Sequence, residues 1–185
     1  MAFNVNDIKQ RLVTGGARPT LFEVNITNPI NGSGNEITPF MVKAAQLPSS
    51  TLGVIEVPYF GRKIKVAGDR TFEEWTVTVI NDESFSVRSA MEDWMAAINT
   101  HEGNLRVGNA TFEGYKNTDA EITQFAKDGS VLRTYSFKNL FPSVVAPIEM
   151  AWDSNDTIEE FTVTFQYDYW TVSGGVTAGG TGTTV

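Results

Sequence analysis

Alternation of apolar and polar residues is the main pattern of this chain, and it predicts β-strands. In LFEVNIT, which begins at Leu21, polar residues follow apolar ones at every second position. A period of two places one set of side chains on each face of a strand, which is typical of a sheet with one buried face. The Asn31-Gly32 turn signal then leads to a second strand over residues 37–45, so a hairpin is predicted here.

The same alternating phrase occurs twice in the chain. RTFEEWTVTVIND begins at Arg70, and DTIEEFTVTFQYD begins at Asp156. We expect the two segments to hold equivalent places in two sheets, with threonines outward and apolar side chains inward. Threonine and valine are good strand formers, so an internal repeat and mere strand preference explain the echo equally well. The inward set is assigned to the core: Phe72, Trp75, Val77, Val79, Phe161, Val163 and Phe165.

Residues 84–100 show the spacing of an amphipathic helix. Asp82 or Ser84 can cap its N-terminus, and Gly103 is expected to end it. Apolar side chains recur every three or four positions, as they do on the buried face of a helix. The apolar residues at this spacing are Val87, Met91, Trp94, Met95 and Ile98, and three of them are assigned to the core: Met91, Trp94 and Ile98.

The later strands are predicted from turn signals. EITQFAKDGSVLRTYSF, residues 121–137, indicates a hairpin in which Asp128-Gly129 supplies the positive φ angles of a type I′ turn. Strand-like patterns follow at residues 144–152 and 159–171.

The two ends of the chain differ from this framework. Residues 3–20 predict an entry arm with a short helical turn at Ile8 and Leu12, and residues 172–185 predict a flexible Gly/Thr-rich tail. The elements between them predict a single, mainly β domain over residues 1–171. About eight strands would form a two-sheet β-sandwich or small barrel, with the helix on its flank.

A long apolar segment, residues 46–70, interrupts the strand pattern. Two prolines and three glycines break it, which favours an extended arm or loop. A loop this long and this apolar is unusual in a compact domain unless its side chains meet a surface. That surface can belong to another subunit, and the apolar and basic residues assigned to such an inter-subunit arm are Val54, Ile55, Val57, Tyr59, Phe60, Arg62, Lys63, Lys65 and Arg70.

Charge is distributed unevenly along the 185 residues. The formal net charge is −8, which disfavours a general binder of nucleic acid or anionic membrane. The arm is basic, whereas residues 139–185 contain six acids and no base. Head-to-tail contact between copies would use this polarity. Two alternatives are an arm that folds back on its own acidic end and, less favoured by the net charge, an arm that binds DNA.

Candidate catalytic and metal-binding chemistry is sparse. His101 is the single histidine, and Glu102 alone beside it does not make a catalytic pair, so we interpret it as a surface residue. The acidic segment DSNDTIEE, which begins at Asp153, lacks the spacing of a calcium loop. There is no cysteine, and no apolar run is long enough to cross a bilayer. We therefore expect no enzymatic activity, cofactor, metal or membrane partner.

Three blocks of sequence are the most specific: KAAQLPS from Lys43, GRKIKVAGDRTFEEWTVTVINDE from Gly61, and WDSNDTIEEFTVTFQYDYW from Trp152. On these residues the chain resembles the tail tube proteins of contractile-tailed, T4-like bacteriophages, from residue 17 to residue 170. The chain departs from that family in three places. Residues 28–36 look like an insertion, residues 104–120 diverge, and the residues after Trp170 form a C-terminal extension.

The resemblance implies a structural virion protein that is assembled in the host cytoplasm. Hexameric rings of β-sandwich subunits would stack into a hollow tube inside a contractile sheath, with sheets of six subunits lining the bore and the helix away from it. The arm at residues 46–70 would bridge to adjacent subunits and to the next ring. Expected partners are further copies of the chain, the tail sheath protein, baseplate proteins and tail terminator proteins.

Such a tube would conduct double-stranded DNA into the host without binding it specifically. DNA carries about one phosphate charge per 1.7 Å, so even ~0.1 kcal/mol of attraction at each of roughly 60 phosphates in a ~100 Å tube would total ~6 kcal/mol. The bore should therefore be neutral or acidic. Candidate lining residues are Glu74, Thr76, Thr78, Glu160, Thr162, Thr164 and Gln166.

Other interpretations remain open for the sequence. The chain fits a tube subunit of a related contractile injection machine, or a baseplate protein that initiates the tube. In a different class, it fits a monomeric carbohydrate-binding β-sandwich that uses aromatic side chains as stacking platforms: Trp152, Tyr167, Tyr169 and Trp170.

Overall fold

Two four-stranded antiparallel sheets and a two-stranded hairpin make up the described β-structure. The computed structural model describes residues 9–10, 16–30, 41–106, 113–117 and 119–174. Sheet A contains, in spatial order, β1 (Phe22–Asn25), β6 (Glu121–Phe125), β7 (Val131–Lys138) and β10 (Tyr169–Gly174). Sheet B contains β2 (Val42–Ala45), β5 (Trp75–Ile80), β9 (Glu160–Gln166) and β8 (Phe141–Val145). The hairpin consists of β3 (Ser50–Tyr59) and β4 (Arg62–Phe72).

Side chains from both sheets fill one hydrophobic core. Trp75 of β5 stacks on Phe137 of β7 with ring centroids 4.3 Å apart, which ties sheet B to sheet A. Burial of each large apolar side chain contributes about 1.5–3 kcal/mol, so this layer is the main source of stability. Six of the seven residues that the sequence assigned to the inward set are buried: Trp75, Val77, Val79, Phe161, Val163 and Phe165. The seventh, Phe72, ends β4 and is only half-buried. The mainly β sandwich is thus confirmed, with ten strands in the described residues rather than about eight.

The two echoing segments form neighbouring strands of one sheet, so the expectation of one in each sheet is wrong. β5 and β9 pair antiparallel, with Val77 opposite Val163 and Trp75 opposite Phe165. Val77 and Val163 are also equivalent positions of the echo. A local two-fold axis therefore passes between them. Alternation specifies the two faces of a strand but not the strand beside it, which is why the sequence misplaced the pair.

The helix α1 spans Ser86–Ile98, shorter than the predicted range of residues 84–100. The N-cap position is held by Phe85 in the left-handed conformation, and neither Asp82 nor Ser84 occupies it. Asp82 nevertheless accepts a hydrogen bond from the Ser86 N–H at 3.1 Å. Hydrogen bonds from the Ser84 hydroxyl, and then from Ser86, lower the pKa of Asp82. The chain leaves the helix at Asn99, ahead of the predicted stop at Gly103.

Helix α1 packs on the flank of the sandwich, as predicted. Its buried face contains Val87, Ala90, Met91, Trp94 and Ala97, while Met95 and Ile98 are half-buried. The Trp94 indole donates to the Tyr115 carbonyl at 2.7 Å, and Arg88 donates to the Ala146 carbonyl at 3.1 Å. These bonds fix both ends of the helix against loops of the body.

The predicted hairpin between the first two strands is wrong. β1 pairs with β6 in sheet A, and β2 pairs with β5 in sheet B. The connection over residues 26–41 is far longer than the two to five residues of a tight hairpin loop, so the chain crosses between sheets instead. The Asn31-Gly32 turn lies outside the described residues, as does most of the predicted entry arm with Ile8 and Leu12.

Three later boundaries also differ from the prediction. The hairpin of β6 and β7 is present, but only Gly129 of its turn has positive φ, so the turn is not type I′. The Gly129 N–H donates to the Ala126 carbonyl. The loop over residues 127–129 is therefore the common three-residue type, a type I turn that ends in a glycine with left-handed φ. The strand expected at residues 144–152 is β8, which ends at Val145. β10 continues to Gly174, and residues 175–185 of the predicted tail lie outside the described range.

Candidate functional site

The segment predicted to be an extended arm or loop contains a long β-hairpin. β3 and β4 pair from Ser50 opposite Phe72 to Tyr59 opposite Arg62. A strand of 10 residues spans about 33 Å. Phe60 and Gly61, with φ of 43° and 79°, form the turn at the tip, and positive φ at both central positions is characteristic of type I′. The glycine that looked like a break is thus required by the turn.

A close approach of backbone near the base of the hairpin explains two further glycines. Gly53 lies at a register shift in β3, next to Gly68 of β4. A Cβ atom on Gly68 would lie 3.2 Å from the Gly53 carbonyl oxygen, which is tighter than ordinary contacts. Glycine at both positions allows the bulge, and bulges increase the local twist of a strand pair.

One face of the hairpin is apolar. Directly paired residues share a face, and the pairs Ile55–Val66 and Val57–Ile64 form a continuous row that Tyr59 extends toward the tip. These five side chains are between 46% and 63% exposed. An isolated two-stranded hairpin is only marginally stable in water, so this uncovered face is a candidate contact surface.

The opposite face of the hairpin is charged. Glu56 lies opposite Lys65, and the Lys63 ammonium is 2.5 Å from a Glu56 carboxylate oxygen. Within the described residues this is the only ion pair that the hairpin makes, and it is internal. Within the described residues, the hairpin therefore makes no ion pair with the acidic C-terminal part of its own chain. Arg70 is exposed near the base, and Arg62 is exposed at the tip, where it pairs with Tyr59 and so lies on the apolar side.

The base of the hairpin is fixed to the body. The Trp75 indole donates to the Gln46 carbonyl at 2.7 Å, and the Trp170 indole donates to the Ser49 carbonyl at 3.3 Å. The Phe72 ring packs edge-on against Trp170 with centroids 6.3 Å apart. The hairpin is thus anchored where it leaves the sandwich and exposed along its length.

All seven predicted lining residues lie together on the outer face of sheet B. The Thr76 and Thr164 hydroxyl oxygens are 3.2 Å apart, and Thr78 is opposite Thr162 in the next pair on that face. These threonines form the centre of a surface that we call the threonine face. Threonine hydroxyls carry no charge and can both donate and accept hydrogen bonds, so the centre of this face is polar but uncharged.

Charged residues lie at the two ends of the threonine face. Gln166 donates to a Glu74 carboxylate oxygen at 3.2 Å at one end. At the other end, the Lys43 ammonium is 2.5 Å from a Glu160 carboxylate oxygen. The sequence did not predict Lys43 on this face, because a register shift in β2 breaks the alternation there.

Sheet A has a similar outer face. The Thr123 and Thr134 hydroxyl oxygens are also 3.2 Å apart, and Ser136 donates to Glu121 at 2.8 Å. The sequence did not single out these residues, although the alternation in β6 and β7 contained the signal. The pair Thr123–Thr134 is a geometric match for the pair Thr76–Thr164.

The loop between β8 and β9, residues 146–159, is a second exposed surface that the sequence did not predict. Three large apolar side chains are exposed there: Met150, Trp152 and Ile158. The loop contains four acidic residues, and Glu160 at the start of β9 is a fifth. The sequence predicts a strand at residues 144–152, and this prediction hides the exposure of Met150 and Trp152.

The remaining candidate chemistry does not converge. His101 lies in the turn after α1, beside a shallow recess lined by Met95, Asn99 and Thr100. Within the described residues, no group of three or more histidine, cysteine or acidic side chains is placed to hold a metal ion. No helix of the described ranges has the length and apolar character needed to cross a membrane.

The four aromatic residues considered as a carbohydrate platform do not share one surface. Tyr167 packs edge-on against Phe137 at 5.1 Å, and Trp170 packs against Tyr135 at 5.6 Å, so both are half-buried on the core. The Tyr167 hydroxyl is buried without a hydrogen-bond partner among the described residues. Burial raises the pKa of Tyr167, and the Glu73 carboxylate raises it further. Trp152 stands apart in the exposed loop.

Comparisons with known proteins identify the family of the chain. The family model described as phage tail tube protein matches residues 17–173. Tail tube protein gp19 of Enterobacteria phage T4 is 40% identical over 168 residues, which cover 90% of this chain and 98% of that protein. The tail tube protein of Serratia phage KSP90 is 27% identical and covers 88% of this chain and 93% of its own length.

A solved structure shares the fold. A chain in the electron cryomicroscopy structure of the anti-feeding prophage cap, a tube terminating cap, superposes with a TM-score of 0.64 at 20% identity. The match covers 86% of this chain and 92% of the other. The family match and the 40% identity to gp19 lead to one conclusion: this chain is a member of the phage tail tube protein family.

Proposed function

We propose that this chain forms closed hexameric rings that stack into the inner tube of a contractile phage tail, and that double-stranded DNA passes through the bore into the host. The observation that carries the proposal is the apolar face of the hairpin, which no other described part of the chain covers. The role is mechanical, so we expect no catalytic residue.

The hairpin supports repeated contact between copies. Its exposed row of branched side chains needs a surface to cover it, and its fixed base directs it away from the sandwich. A hairpin that meets a different surface on the next copy makes a heterologous contact. Contacts of this type close into rings or continue as filaments.

The edges of the sheets supply lateral contacts. Sheet A ends at β1 and β10, and sheet B ends at β2 and β8. Edge strands present unpaired N–H and C=O groups that can pair with a strand of a neighbour. Six joined copies of one sheet would then form a continuous wall around the bore.

The threonine face is the proposed lining of that bore. The Thr76 and Thr164 hydroxyls hydrogen-bond to each other, and the charge of Lys43 is balanced by Glu160 at 2.5 Å. Unpaired lysines would attract phosphate at every step of DNA passage, whereas a neutral or acidic wall would not. Carboxylates such as Glu74 would add repulsion within a Debye length of about 8–10 Å.

The expected partners follow from this role. Outside the tube lies the tail sheath protein, and at the two ends lie baseplate and tail terminator proteins. The chain would be assembled in the host cytoplasm and become part of the virion. A tube subunit of a related contractile injection machine is the second candidate, because the prophage cap chain shares the fold. Nuclease-protected DNA in particles would favour the phage tail.

Negative-stain electron microscopy of the purified protein tests the proposal. We expect rings with a central hole, or tubes built from them, and a size in light scattering that grows with protein concentration. A particle of monomer mass at every concentration would contradict it.

A further inference from the structure

The loop of residues 146–159 leaves three large apolar side chains exposed to solvent. Trp152 is fully exposed, and Met150 and Ile158 are 85% and 72% exposed. Met150 and Ile158 line a recess of about 590 Å³. Trp152 is not part of the recess lining but lies in the same loop, and exposed apolar side chains of this number are typical of an interaction site.

The charge of this loop is opposite to that of the hairpin tip. Glu149, Asp153 and Asp156 make no ion pair within the described residues. At the tip, Arg62 follows Phe60, which is 91% exposed. Each surface therefore combines an open apolar group with an unpaired charge, and the two charges are complementary.

The two surfaces lie at opposite ends of sheet B. The hairpin leaves the sheet beside Trp75, the first residue of β5. The loop joins the sheet where Glu160 pairs with Ile80, the last residue of β5. A contact between opposite ends of identical subunits is head to tail, and it leaves both surfaces occupied in every copy except at the ends of an assembly.

We propose that this loop is the socket for the hairpin tip of another copy of the chain. Phe60 and Tyr59 pack against Trp152 and Met150, and Arg62 lies against the acidic rim at Asp153. The inference rests on the proposed function, because it names the surface that the hairpin meets in the tube.

Charge reversal tests the contact on both sides. Arg62→Glu and Asp153→Arg each place like charges together, so each should raise the critical concentration for assembly about tenfold or more. Both positions are exposed, so each subunit should still fold, as judged by an unchanged Tm. Matched controls with the same charge changes are Lys127→Glu, in the turn of β6 and β7, and Asp93→Arg, on the exposed side of α1. Neither control should alter assembly.

Mixing makes the test specific. In an equal mixture of R62E and D153R subunits, every contact between unlike copies pairs opposite charges, so the mixture should assemble where each variant alone does not. The chain with both changes should also assemble by itself. Failure of both the mixture and the double variant to recover would overturn the socket.

Trp152 reports directly on whether the socket is filled. Of the four tryptophans, Trp75 and Trp94 are buried and Trp170 is half-buried, so Trp152 is the one open to a quencher in the free subunit. The fluorescence of Trp152 is obtained by subtracting the emission of the Trp152→Phe variant from that of the unchanged chain. Acrylamide quenching of this signal should fall severalfold on assembly. Assembly with Trp152 still fully quenched would overturn the socket alone, whereas no assembly at all would overturn the proposed function and the socket with it.

Discussion

The apolar face of the hairpin can be weakened while its side chains stay β-branched. Val57 and Ile64 lie opposite each other and are 46% and 54% exposed in the free subunit. Threonine at both positions keeps the β-branching that favours a strand. Full burial of such a side chain contributes about 1.5–3 kcal/mol, so covering the open half contributes about 1 kcal/mol at each position.

The double change should therefore cost about 2 kcal/mol in the contact, because a threonine hydroxyl must lose water where a methyl group was covered. That corresponds to a rise of about 30-fold in the critical concentration, measured by sedimentation of the polymer. The Tm of the free subunit should barely move, since the hairpin lies outside the core. An unchanged critical concentration would refute the inference that another copy covers this face.

The charged face of the same hairpin provides the control. Glu56→Ser with Lys65→Ser changes a directly opposed pair and leaves the net charge unaltered. Exposed ion pairs contribute only about 0–1 kcal/mol, so this variant should assemble nearly as well as the unchanged chain. An equal loss in both variants would indicate that the hairpin itself had been disrupted.

Three further changes test other parts of the structure. Lysine at Thr76 and Thr164 should permit assembly but slow DNA ejection from phage, whereas lysine at the matched pair Thr123 and Thr134 should not; the reverse ranking would assign the bore to sheet A. Tyr167→Phe should raise Tm by roughly 2–4 °C, because it removes a buried hydroxyl without a partner at a cost of about 1 kcal/mol, and a lower Tm would contradict this. Asp82→Asn should lower Tm at neutral pH. Folding lowers the pKa of Asp82 below its ordinary value of 3.8, so the charged carboxylate stabilises the fold above that pH. This stabilisation is lost as the pH falls through the folded pKa. A Tm difference between the variant and the unchanged chain that is the same at every pH would contradict this account.

The sequence predicted best where local pattern and burial coincide. The alternation around Trp75 and Phe161 marked two strands and their inner faces, and the threonines between them proved to share one outer face. The helix was predicted because its apolar residues repeat at one spacing. Its ends were less certain, since Phe85 in an unusual conformation takes the place of a standard cap.

Pairing between strands could not be predicted in the same way. β1 and β6 are distant in sequence but hydrogen-bonded in the sheet, because any two strands offer the same backbone groups and packing selects between them. Gly53 and Gly68 looked like interruptions, yet their value appears only when β3 and β4 lie side by side. The sequence predicted a strand that reaches Trp152 because a run of apolar residues shows the same pattern whether the fold buries it or leaves it exposed.

A reconstruction of the assembled protein by electron cryomicroscopy, at a resolution that traces β3 and β4, tests the proposed tube most directly. We expect six copies in each ring, with the face formed by Ile55, Val57 and Ile64 covered by another copy and with Thr76 and Thr164 toward the bore. A polymer in which the hairpin extends freely into solvent would contradict the proposal.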